Sequence, residues 1–535
     1  MKKVLIKVGI ILFTALVLFY CFLPSLNIHD ATFYFFVLIL LIEWLLLEIP
    51  DSIKLLKDKG FKYVLKSSLA SNIVKVIFGL IVASILYVFV TSFVFSPVFM
   101  ARTYANRIQV KDVDFSTVPP FNFNTTAIID RDSAEKLGDK VMGEMTDLVS
   151  QFRVSNEYSQ ISYKEGTYRV TPLAYDGFVK YVRNLSNHIP GYIIVNTTSG
   201  ETKLNRLEKG MRYVPSAYFF DNLYRKLRFD YPFDIFGDPT FEIDEEGNPY
   251  YVCTTYTYRG ISSLKKVIGV ILFNPIDGTS QKYEIKDAPN WVDRIYPEDL
   301  INTELNDYGK YRNGYLNSFI GQEGVIQTSE GYNYISKDGD IWLYTGMTSA
   351  MSDSSNVGFV LVDLRTHEAQ YIATSGADEY SVMDSAEGEV LNFGYKATFP
   401  VLVNIGNKPV YILSLKDSAG LVKMYAMVDA QDYQQVYTCK ADKDARTAIN
   451  QLIQEMTGQK TIASDEDKVA TITIDSIKDA VIDGNSYIYI KANNDIYELE
   501  LNELIAPKAL FLEEGQQIKI SYYQEGSRKY ITDIK

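Results

Sequence analysis

The sequence predicts an α+β protein with N-terminal transmembrane helices, then tandem units of one helix and an antiparallel meander, then a small all-β barrel. Three long apolar runs lie in the first hundred residues, a strand ending in Asn or Asp recurs four times after them, and the last stretch alternates polar and apolar residues. We expect a three-helix membrane anchor at 1–100, a linker at 101–132, repeat units at 133–212, 213–289, 290–376 and 377–440, a helix and linker at 441–468, and the barrel at 469–535.

The three apolar runs, at residues 4–26, 32–49 and 73–99, are each about long enough for a helix to cross a hydrocarbon core of about 30 Å. We therefore expect them to contact the lipid bilayer. The first run has no small-residue cleavage site and a second run follows almost at once. We interpret it as a retained span rather than as a signal peptide.

The loops between these runs predict the orientation of the chain. The loop between the second and third runs holds five lysines against two aspartates, whereas the first loop has no Lys or Arg. Because cytoplasmic loops carry an excess of positive charge, we expect the Lys-rich loop and the amino terminus to be cytoplasmic. The protein is then a multi-pass plasma-membrane protein whose large C-terminal region is extracytoplasmic.

One acidic residue, Glu43, lies within the second run. An ionisable group at membrane depth is a candidate functional residue, because placing a charge there is costly. The alternative is that Glu43 lies near the membrane interface beside Trp44, without a functional role.

Charge and cysteine content indicate which class of partner and which cellular compartment suit the C-terminal region. Beyond residue 100 the chain has 44 basic and 61 acidic residues, a net charge of −17, which argues against nucleic acid as the main partner. Cys21 lies in the first run, so only Cys253 and Cys439 remain, which is no disulfide framework. This composition indicates an envelope that does not rely on disulfides, such as that of a Gram-positive bacterium; whether the two thiols pair stays open.

The strongest internal pattern is a repeated strand followed by a turn. Residues 191–200 match 269–278, which begin 78 residues later, and shorter copies lie at 358–363 and 425–429. Asn and Asp at a strand end favour turns, because their side chains bond to the following backbone. We therefore assign structural roles in these turns to Asn196, Gly200, Asn274, Pro275, Gly278, Asp363 and Asp429.

Helical patterns precede the strands, at about 134–152, 216–227, 291–301 and 379–391. With the terminal strands Phe-Asn-Pro-Ile-Asp-Gly at 273–278 and Val-Asn-Thr-Thr-Ser-Gly-Glu at 195–201, residues 133–440 resemble tandem PepSY-type domains of bacterial envelope proteins. The third and fourth copies lack the Pro and the Gly. The resemblance implies a helix followed by antiparallel strands and a role in inhibiting or modulating partner proteins, and it supplies no catalytic residues.

The tail, 469–535, shows five strand patterns with a short helical stretch at 504–510 after the third, and it resembles an OB-type barrel. Such barrels often bind single-stranded nucleic acid, with aromatic side chains stacking on bases. Tyr487, Tyr489, Tyr522 and Tyr523 are candidates for that role. Because the segment is not basic and is expected outside the cell, we favour a capping or docking barrel.

Catalytic patterns are absent from the sequence. The three histidines lie in separate segments, and there is no G-x-S-x-G, Walker A, G-x-G-x-x-G or C-x-x-C motif. We therefore expect no enzyme, cofactor or metal, but a non-enzymatic scaffold, sensor or assembly factor that binds another cell-envelope protein. Two alternatives stay open: an envelope hydrolase acting on wall polymer through paired carboxylates, and a membrane subunit of a transport or signalling complex working through Glu43.

Overall fold

Helices and antiparallel sheets follow the apolar N-terminal helices along the chain. The computed structural model describes residues 2–59, 72–123, 126–164, 166–329, 331–349, 352–374, 376–441, 445–457, 468–482, 485–493, 495–501, 509–525 and 528–534. Its α-helices are α1 (Lys2–Phe22), α2 (Ala31–Lys59), α3 (Asn72–Val94), α4 (Pro97–Ala105), α5 (Arg131–Glu144), α6 (Phe178–Arg183), α7 (Leu223–Asp230), α8 (Glu298–Tyr311), α9 (Glu379–Glu389) and α10 (Ala445–Thr457).

The first three helices are long and apolar enough to cross a membrane, over Val4–Phe22, Ala31–Glu48 and Val74–Val94. They indicate a membrane protein with a large C-terminal region, and they confirm the three predicted apolar helices. The third is shorter than the expected 73–99, because α3 ends at Val94 and Pro97 begins α4. Proline suits the first turn of a helix, since it lacks the backbone N–H that would be unpaired there.

Four sheets share one pairing order, in which the first two strands pair with the third, the third with the fourth, and the fourth with the fifth. Sheet 1 has β2 (Phe152–Val154), β3 (Ser159–Tyr163), β4 (Gly166–Tyr175), β5 (Ile189–Asn196) and β6 (Thr202–Met211). Sheet 2 has β7 (Ile235–Phe236), β8 (Thr240–Ile243), β9 (Pro249–Arg259), β10 (Ser263–Phe273) and β11 (Ser280–Glu284).

Sheet 3 has β12 (Ile326–Thr328), β13 (Asn333–Lys337), β14 (Asp340–Ser349), β15 (Ser352–Asp363) and β16 (Ala369–Ile372), together with β1 (Val110–Val113) and β17 (Gly376–Ala377). Sheet 4 has β18 (Lys396–Ala397), β19 (Val401–Ile405), β20 (Lys408–Lys416), β21 (Val422–Asp429) and β22 (Val436–Lys440). Sheets 1 and 2 share one buried apolar cluster, and sheets 3 and 4 share another. Neighbouring sheets therefore bury their apolar faces against each other in pairs.

Two parts of the segment 101–132, expected as a linker, pair with the third and fourth sheets, while its two ends belong to α4 and α5. Strand β1 pairs in parallel with β16, and Pro120 forms a bridge with Asn404. The Asn404 side chain donates a hydrogen bond to the Val118 carbonyl at 3.0 Å, and Val118 is buried in the core of sheets 3 and 4. Main-chain pairing and apolar burial together hold this segment in place.

The helices differ from their predicted positions at both their starts and their ends. The helix expected at 291–301 begins only at Glu298, after Pro297, because the backbone N–H groups of Asp293 and Arg294 bond to the Glu242 carboxylate instead. Helix α5 ends at Glu144, eight residues before its expected end. In both places a tertiary contact or a turn overrides the apolar periodicity.

The described residues of the tail form six strands rather than five: β23 (Lys468–Thr473), β24 (Ser476–Ile482), β25 (Asn485–Ala492), β26 (Asp495–Glu500), β27 (Gln517–Glu525) and β28 (Arg528–Ile534). The expected first strand, 469–477, breaks at Ile474 and Asp475, whose N–H groups bond to the carbonyl groups of Gln516, just before β27, and of Lys491, in β25. The sheet order is β23-β27-β28-β26-β25-β24, with β26 and β28 parallel. The helix expected at 504–510 lies outside the described residues except for its last two positions.

Candidate functional site

The turn residues that the sequence singled out lie at the ends of four separate sheets and do not form one site. Asn196 accepts hydrogen bonds from the N–H groups of Thr198 and Ser199, each at 2.9 Å. Asn274 accepts from Ile276, Asp363 from Arg365 and Thr366, and Asp429 from Gln431 and Asp432. The same side-chain geometry thus closes each of the four turns.

The fifth residue of the first three turns has a left-handed backbone. Gly200 has φ +76° and Gly278 has φ +78°, and in the third turn His367 takes this place with φ +66°. His367 is held there by its contact with Glu304, at 2.7 Å between Nε2 and Oε2, and by stacking on the Tyr296 ring at 4.2 Å. Tertiary contacts stabilise the left-handed backbone at this position, so glycine is not required there. The third copy therefore lacks the Gly of the first two.

Pro275, in the turn of sheet 2, contacts the chain that leaves sheet 1. Its carbonyl oxygen accepts hydrogen bonds from the N–H groups of Arg212 and Tyr213, at 2.8 and 2.9 Å. The chain leaving sheet 1 is thereby fixed to the turn of sheet 2. Pro275 therefore has a structural role in holding the two sheets together.

Glu43 lies where α2 faces α1. The Thr14 hydroxyl donates to Glu43 Oε1 at 2.8 Å, and Lys7 forms an ion pair with Glu48 at 3.0 Å. Interhelical polar contacts of this kind contribute about 0.6 kcal/mol on average in membranes. The geometry of Glu43 therefore fits helix pairing within the anchor.

A cavity of about 430 Å³ lies on sheet 1, and we call it the tyrosine groove. It is lined by Tyr163, Lys164, Tyr168, Tyr192, Ile194, Asn196, Glu201, Lys203, Leu204, Asn205, Glu246 and Gly247. Strand register explains the grouping, because Tyr192 lies opposite Asn205, and Ile194 opposite Lys203. Side chains two apart on a strand point to the same face, so β4, β5 and β6 each contribute to the groove.

Tyr192 forms the floor of the tyrosine groove and joins the first two sheets. Its hydroxyl donates to the Gly247 carbonyl at 2.8 Å and accepts from the Asn205 amide at 2.5 Å. Tyr192 is almost fully buried, and burial raises its pKa to about 12. The hydroxyl therefore stays protonated and keeps donating to Gly247 at physiological pH.

The rim of the tyrosine groove combines aromatic faces with charges of both signs. The Tyr163 and Tyr168 rings meet edge to face at 5.8 Å, and Lys164 lies 4.8 Å from the centre of the Tyr163 ring. Glu201 and Lys203 form an exposed ion pair at 2.5 Å. Amphipathic aromatic surfaces with polar edges are typical of protein-binding sites.

Strand β6 borders the tyrosine groove and is an edge of its sheet. Among the described strands it pairs with β5 alone, and the pairing runs from Val195 opposite Thr202 to Ile189 opposite Met211. An unpaired strand edge offers backbone donors and acceptors to an added strand. The groove and the edge of β6 therefore form one continuous surface suited to an extended chain.

A second polar cluster, which we call the acidic junction, is buried between sheets 1, 2 and 3. Asp293 N–H donates to Glu242 Oε2 at 3.0 Å, and Ser162 N–H donates to Asp293 Oδ2 at 2.7 Å. Glu298 next to them pairs with Arg294 and accepts a hydrogen bond from the Tyr334 hydroxyl at 2.5 Å. Four segments of the chain therefore meet through carboxylates.

Burial controls the ionisation of the acidic junction. Burial raises the pKa of Glu242 to about 7, and burial together with the nearby Glu242 raises the pKa of Asp293 well above its usual range. Two such neighbours titrate as a pair and favour a shared proton. Both carboxylates accept hydrogen bonds from backbone N–H groups of neighbouring segments, and they therefore help to hold the sheets together.

Sheets 2 and 3 contact the membrane anchor through hydrogen bonds and ion pairs. Leu26 N–H donates to the Pro232 carbonyl at 2.7 Å, and Ser262 N–H donates to the His29 carbonyl at 2.9 Å. After the third span, Arg107 pairs with Glu304 at 3.1 Å and with Asp307 at 2.9 Å. The loop between the first two spans therefore lies on the same side as the C-terminal region.

The structure also shows the surroundings of the cysteines and of one tail tyrosine that the sequence singled out. Cys253 and Cys439 are both buried, and burial raises the pKa of Cys253. Over the described part of the chain, no group of three or more His, Cys, Asp or Glu side chains is placed to hold a metal ion. In the tail, the Tyr522 ring packs edge-on against Tyr497 at 5.1 Å, with Lys529 nearby.

The tyrosine groove could not be predicted from the sequence, because its residues come from two different repeat units. Tyr192 and Gly247 lie 55 residues apart, and their contact leaves no local pattern. The abundance of tyrosine was the available signal, since Tyr163, Tyr168 and Tyr192 cluster in the first unit. The acidic junction escaped for a similar reason, because Glu242 alternates with apolar residues in β8 as a solvent-facing residue would.

No family model matches the chain, and no curated protein matches it. Among solved structures it is similar to an exo-β-1,3-galactanase of Phanerochaete chrysosporium, at 8% identity and TM-score 0.18 over 72% of this chain and 71% of that one. It is similar to the Bacillus megaterium YpeB C-terminal domain, at 10% identity and TM-score 0.10 over 45% and 98%, and to a Bacillus subtilis arabinanase, at 13% and 0.16 over 66% and 97%. Likeness at this level establishes neither a shared fold nor a shared activity.

Proposed function

We propose that this chain is a non-enzymatic, membrane-anchored protein whose C-terminal region lies outside the cytoplasm and binds another cell-envelope protein as a scaffold, sensor or assembly factor. The observation that carries the proposal is the tyrosine groove beside the free edge of β6. Aromatic side chains supply large contact area at low entropic cost, and the strand edge supplies main-chain hydrogen bonds.

We also propose that the four sheets are four copies of one PepSY-like unit and that the tail is a closed OB-like barrel. The shared pairing order and the shared Asn or Asp turn support the first statement. For the barrel, β23 and β24 are separated only by Ile474 and Asp475, and they lie at the two ends of the strand order. Joined as one bent strand, they complete a ring.

The partner is best described as an extended segment of an envelope protein that pairs with β6 and places side chains into the tyrosine groove. The exposed rim carries Lys164 and Lys203 beside Glu201 and Glu246, so charged side chains of either sign can find a partner there. Tyr192 is already committed to Gly247 and Asn205, which makes the floor rigid. A preformed floor lowers the ordering cost of binding.

Site-specific photo-crosslinking in intact cells tests this proposal. A photoreactive phenylalanine analogue replaces Tyr168 in the groove, and the matched control replaces Leu391, which is 77% exposed on the fourth unit. We expect Tyr168 to yield a discrete adduct with an envelope protein, and we expect Leu391 to yield none.

A second change links the adduct to the groove itself. Lys203→Glu reverses a rim charge and is expected to reduce the adduct at position 168 several-fold, because it replaces the Glu201–Lys203 ion pair with two like charges and so disrupts the rim. Equal adducts at both positions, or no adduct at Tyr168, would contradict the proposal. Wall-polymer hydrolysis by the purified chain, lost on changing one carboxylate, would replace it with the hydrolase alternative.

A further inference from the structure

Four exposed phenylalanines surround the end of α1, and we call them the aromatic rim: Phe219, Phe220, Phe229 and Phe233. Their exposed fractions are 56%, 65%, 45% and 67%. They belong to the turn before α7, to the end of α7 and to the loop after it. Water-soluble surfaces rarely expose contiguous large apolar groups, so this rim requires a covering partner.

The position of the aromatic rim relative to the first span is fixed by ring contacts. The Phe220 ring lies 5.4 Å from the Tyr20 ring, and the Phe229 ring lies 5.2 Å from the Phe19 ring. Phe19 and Tyr20 belong to the last turn of α1, which ends at Phe22. The rim is therefore level with the end of the span rather than above it.

The apolar stretch of α1 is only just long enough to cross the bilayer, so the C-terminal end of α1 cannot lie far outside the hydrocarbon core. Its apolar stretch, Val4–Phe22, has 19 residues, and at about 1.5 Å per residue this gives about 28 Å. A hydrocarbon core is about 30 Å thick, so the whole stretch is needed to cross it. The last turn of α1, and with it the aromatic rim, must lie at the edge of the hydrocarbon.

Polar contacts hold the rim in this position. Arg225 lies 4.1 Å above the Tyr20 ring, and its Nε donates to the Tyr20 carbonyl at 3.2 Å. The Asn27 amide donates to the Phe233 carbonyl at 2.9 Å. Arginine and tyrosine with aromatic neighbours are typical of the layer between headgroups and acyl chains.

Helix α6 extends the same surface. Its Phe178 ring lies 5.1 Å from Tyr218 and 6.0 Å from Phe219, and Phe178, Val179 and Val182 are all exposed. The helix also carries Lys180 and Arg183. Exposed apolar side chains interleaved with basic ones suit a lipid surface, where the stems snorkel towards the headgroups.

We propose that the aromatic rim and α6 insert into the leaflet in which the first span ends, so that the C-terminal region rests on the membrane instead of standing away from it. The covering partner is the lipid itself: acyl chains for the phenylalanines and headgroups for the basic residues. The inference is independent of the tyrosine groove. It adds a second membrane contact to the three spans.

Lipid-depth quenching of tryptophan fluorescence tests the insertion on the full chain in nanodiscs. Phe219→Trp is compared with Leu391→Trp, a matched exposed site on the fourth unit, both in a Trp44→Phe background that removes the tryptophan of the second span. The nanodiscs contain phosphatidylcholine with bromine at positions 6 and 7 of one acyl chain. We expect strong bromine quenching and weak acrylamide quenching at position 219, and the reverse at position 391.

Acrylamide quenching of Phe219→Trp at the level of position 391, without bromine quenching, would overturn the proposal and indicate a water-facing surface for a protein partner. A folding control keeps that result interpretable: each variant must keep the far-UV circular dichroism and the unfolding midpoint of the Trp44→Phe parent, whose Trp291 and Trp342 supply the background emission to be subtracted. If Phe219→Trp fails this control, Phe220→Trp is measured in its place. The proposal stands only if one of the two rim positions meets the lipid.

Discussion

At the scale of single residues, three turns show how one backbone geometry is reached by different side chains. Gly200 and Gly278 occupy the left-handed position directly, and His367 occupies it with support from Glu304 and Tyr296. The conformation is the same, but the surroundings are not. A Cβ at position 278 would lie 2.6 Å from Tyr213, whereas at position 200 the nearest atom is Leu137 Cδ1 at 3.6 Å.

This difference predicts unequal costs for the same substitution. Gly200→Ala should lower the free energy of unfolding by about 1 kcal/mol, the cost of a left-handed alanine. Gly278→Ala should lower it by about 2–4 kcal/mol, because Tyr213 must also move. Guanidinium unfolding in detergent, followed by Trp291 and Trp342 fluorescence, measures both, and equal losses would contradict the contact with Tyr213.

Glu242 predicts a pH dependence. Its folded pKa of about 7 is above the unfolded value, so its contribution to stability is fully present below about pH 4.5 and is lost as pH rises through 7. Glu242→Gln removes this titration. Relative to the parent, the variant should therefore gain up to about 3 kcal/mol between pH 5 and pH 8, at about 1.4 kcal/mol per pKa unit.

The check is the free energy of unfolding of both proteins at several pH values over that range. Glu246→Gln, at an exposed site three residues beyond β8, serves as the matched control and should follow the parent at every pH. If Glu242→Gln also runs parallel to the parent, the Glu242 carboxylate is ionised in the folded protein and the burial argument is wrong. Asp293 titrates with it, so the transition belongs to the pair.

At the scale of elements, the contact between α4 and α8 fixes the C-terminal region to the end of the third span. Arg107, just past α4, bonds to Glu304 and Asp307 of α8 and donates to the Lys265 carbonyl at 3.2 Å. Glu304 also holds His367. One cation therefore neutralises two carboxylates that belong to the framework of the third sheet.

Arg107→Ala should lower the free energy of unfolding of the C-terminal region by about 3 kcal/mol, because it leaves two largely buried carboxylates without their cation. Arg102→Ala, at an exposed site in α4, is the control and should change it by less than about 0.5 kcal/mol. Detergent-solubilised full chain and guanidinium titration measure the two. Similar effects for both arginines would indicate a loss of helix α4 rather than of the ion pairs.

The elements that sequence could predict are those whose signal is local. The apolar runs mark the spans, and each repeated strand ends in an Asn or Asp that bonds to its own turn. Sequence alone favours a linker at 101–132, because β1 is short and its partner β16 is remote along the chain. Likewise, the sequence around Tyr192 and Glu242 does not indicate their partners Gly247 and Asp293. The tyrosine groove and the acidic junction can therefore be recognised only in the three-dimensional structure.

At the scale of the whole molecule, contacts between the first loop and sheet 2 predict sidedness. His29 bonds to Ser262, and Leu26 bonds to Pro232, so residues 26–29 and the C-terminal region share one side of the membrane. Ile28→Cys and Leu391→Cys, in a Cys21→Ser background, should both react with an impermeant maleimide in intact cells. Lys59→Cys, in the Lys-rich loop region, should react only after permeabilisation.

The two comparisons separate the fold from the orientation. Labelling of Ile28→Cys and Leu391→Cys from opposite sides would contradict the contacts in the fold. Labelling of both only after permeabilisation, with Lys59→Cys labelled in intact cells, would keep the fold and reverse the orientation. The cysteines at 253 and 439 are buried and contribute little background.

The pairing of β1 with β16 also bears on how the chain is made. Val110 pairs with Ala369, and Pro120 pairs with Asn404, so the first stretch to leave the membrane waits for partners more than 250 residues later. At about 5–20 residues per second, the ribosome supplies those partners only on the order of tens of seconds afterwards. Until then this stretch lacks its partner strand, and chains that end before residue 369 never gain it. The segment after the third span is therefore fully paired only once the third and fourth sheets have been synthesised.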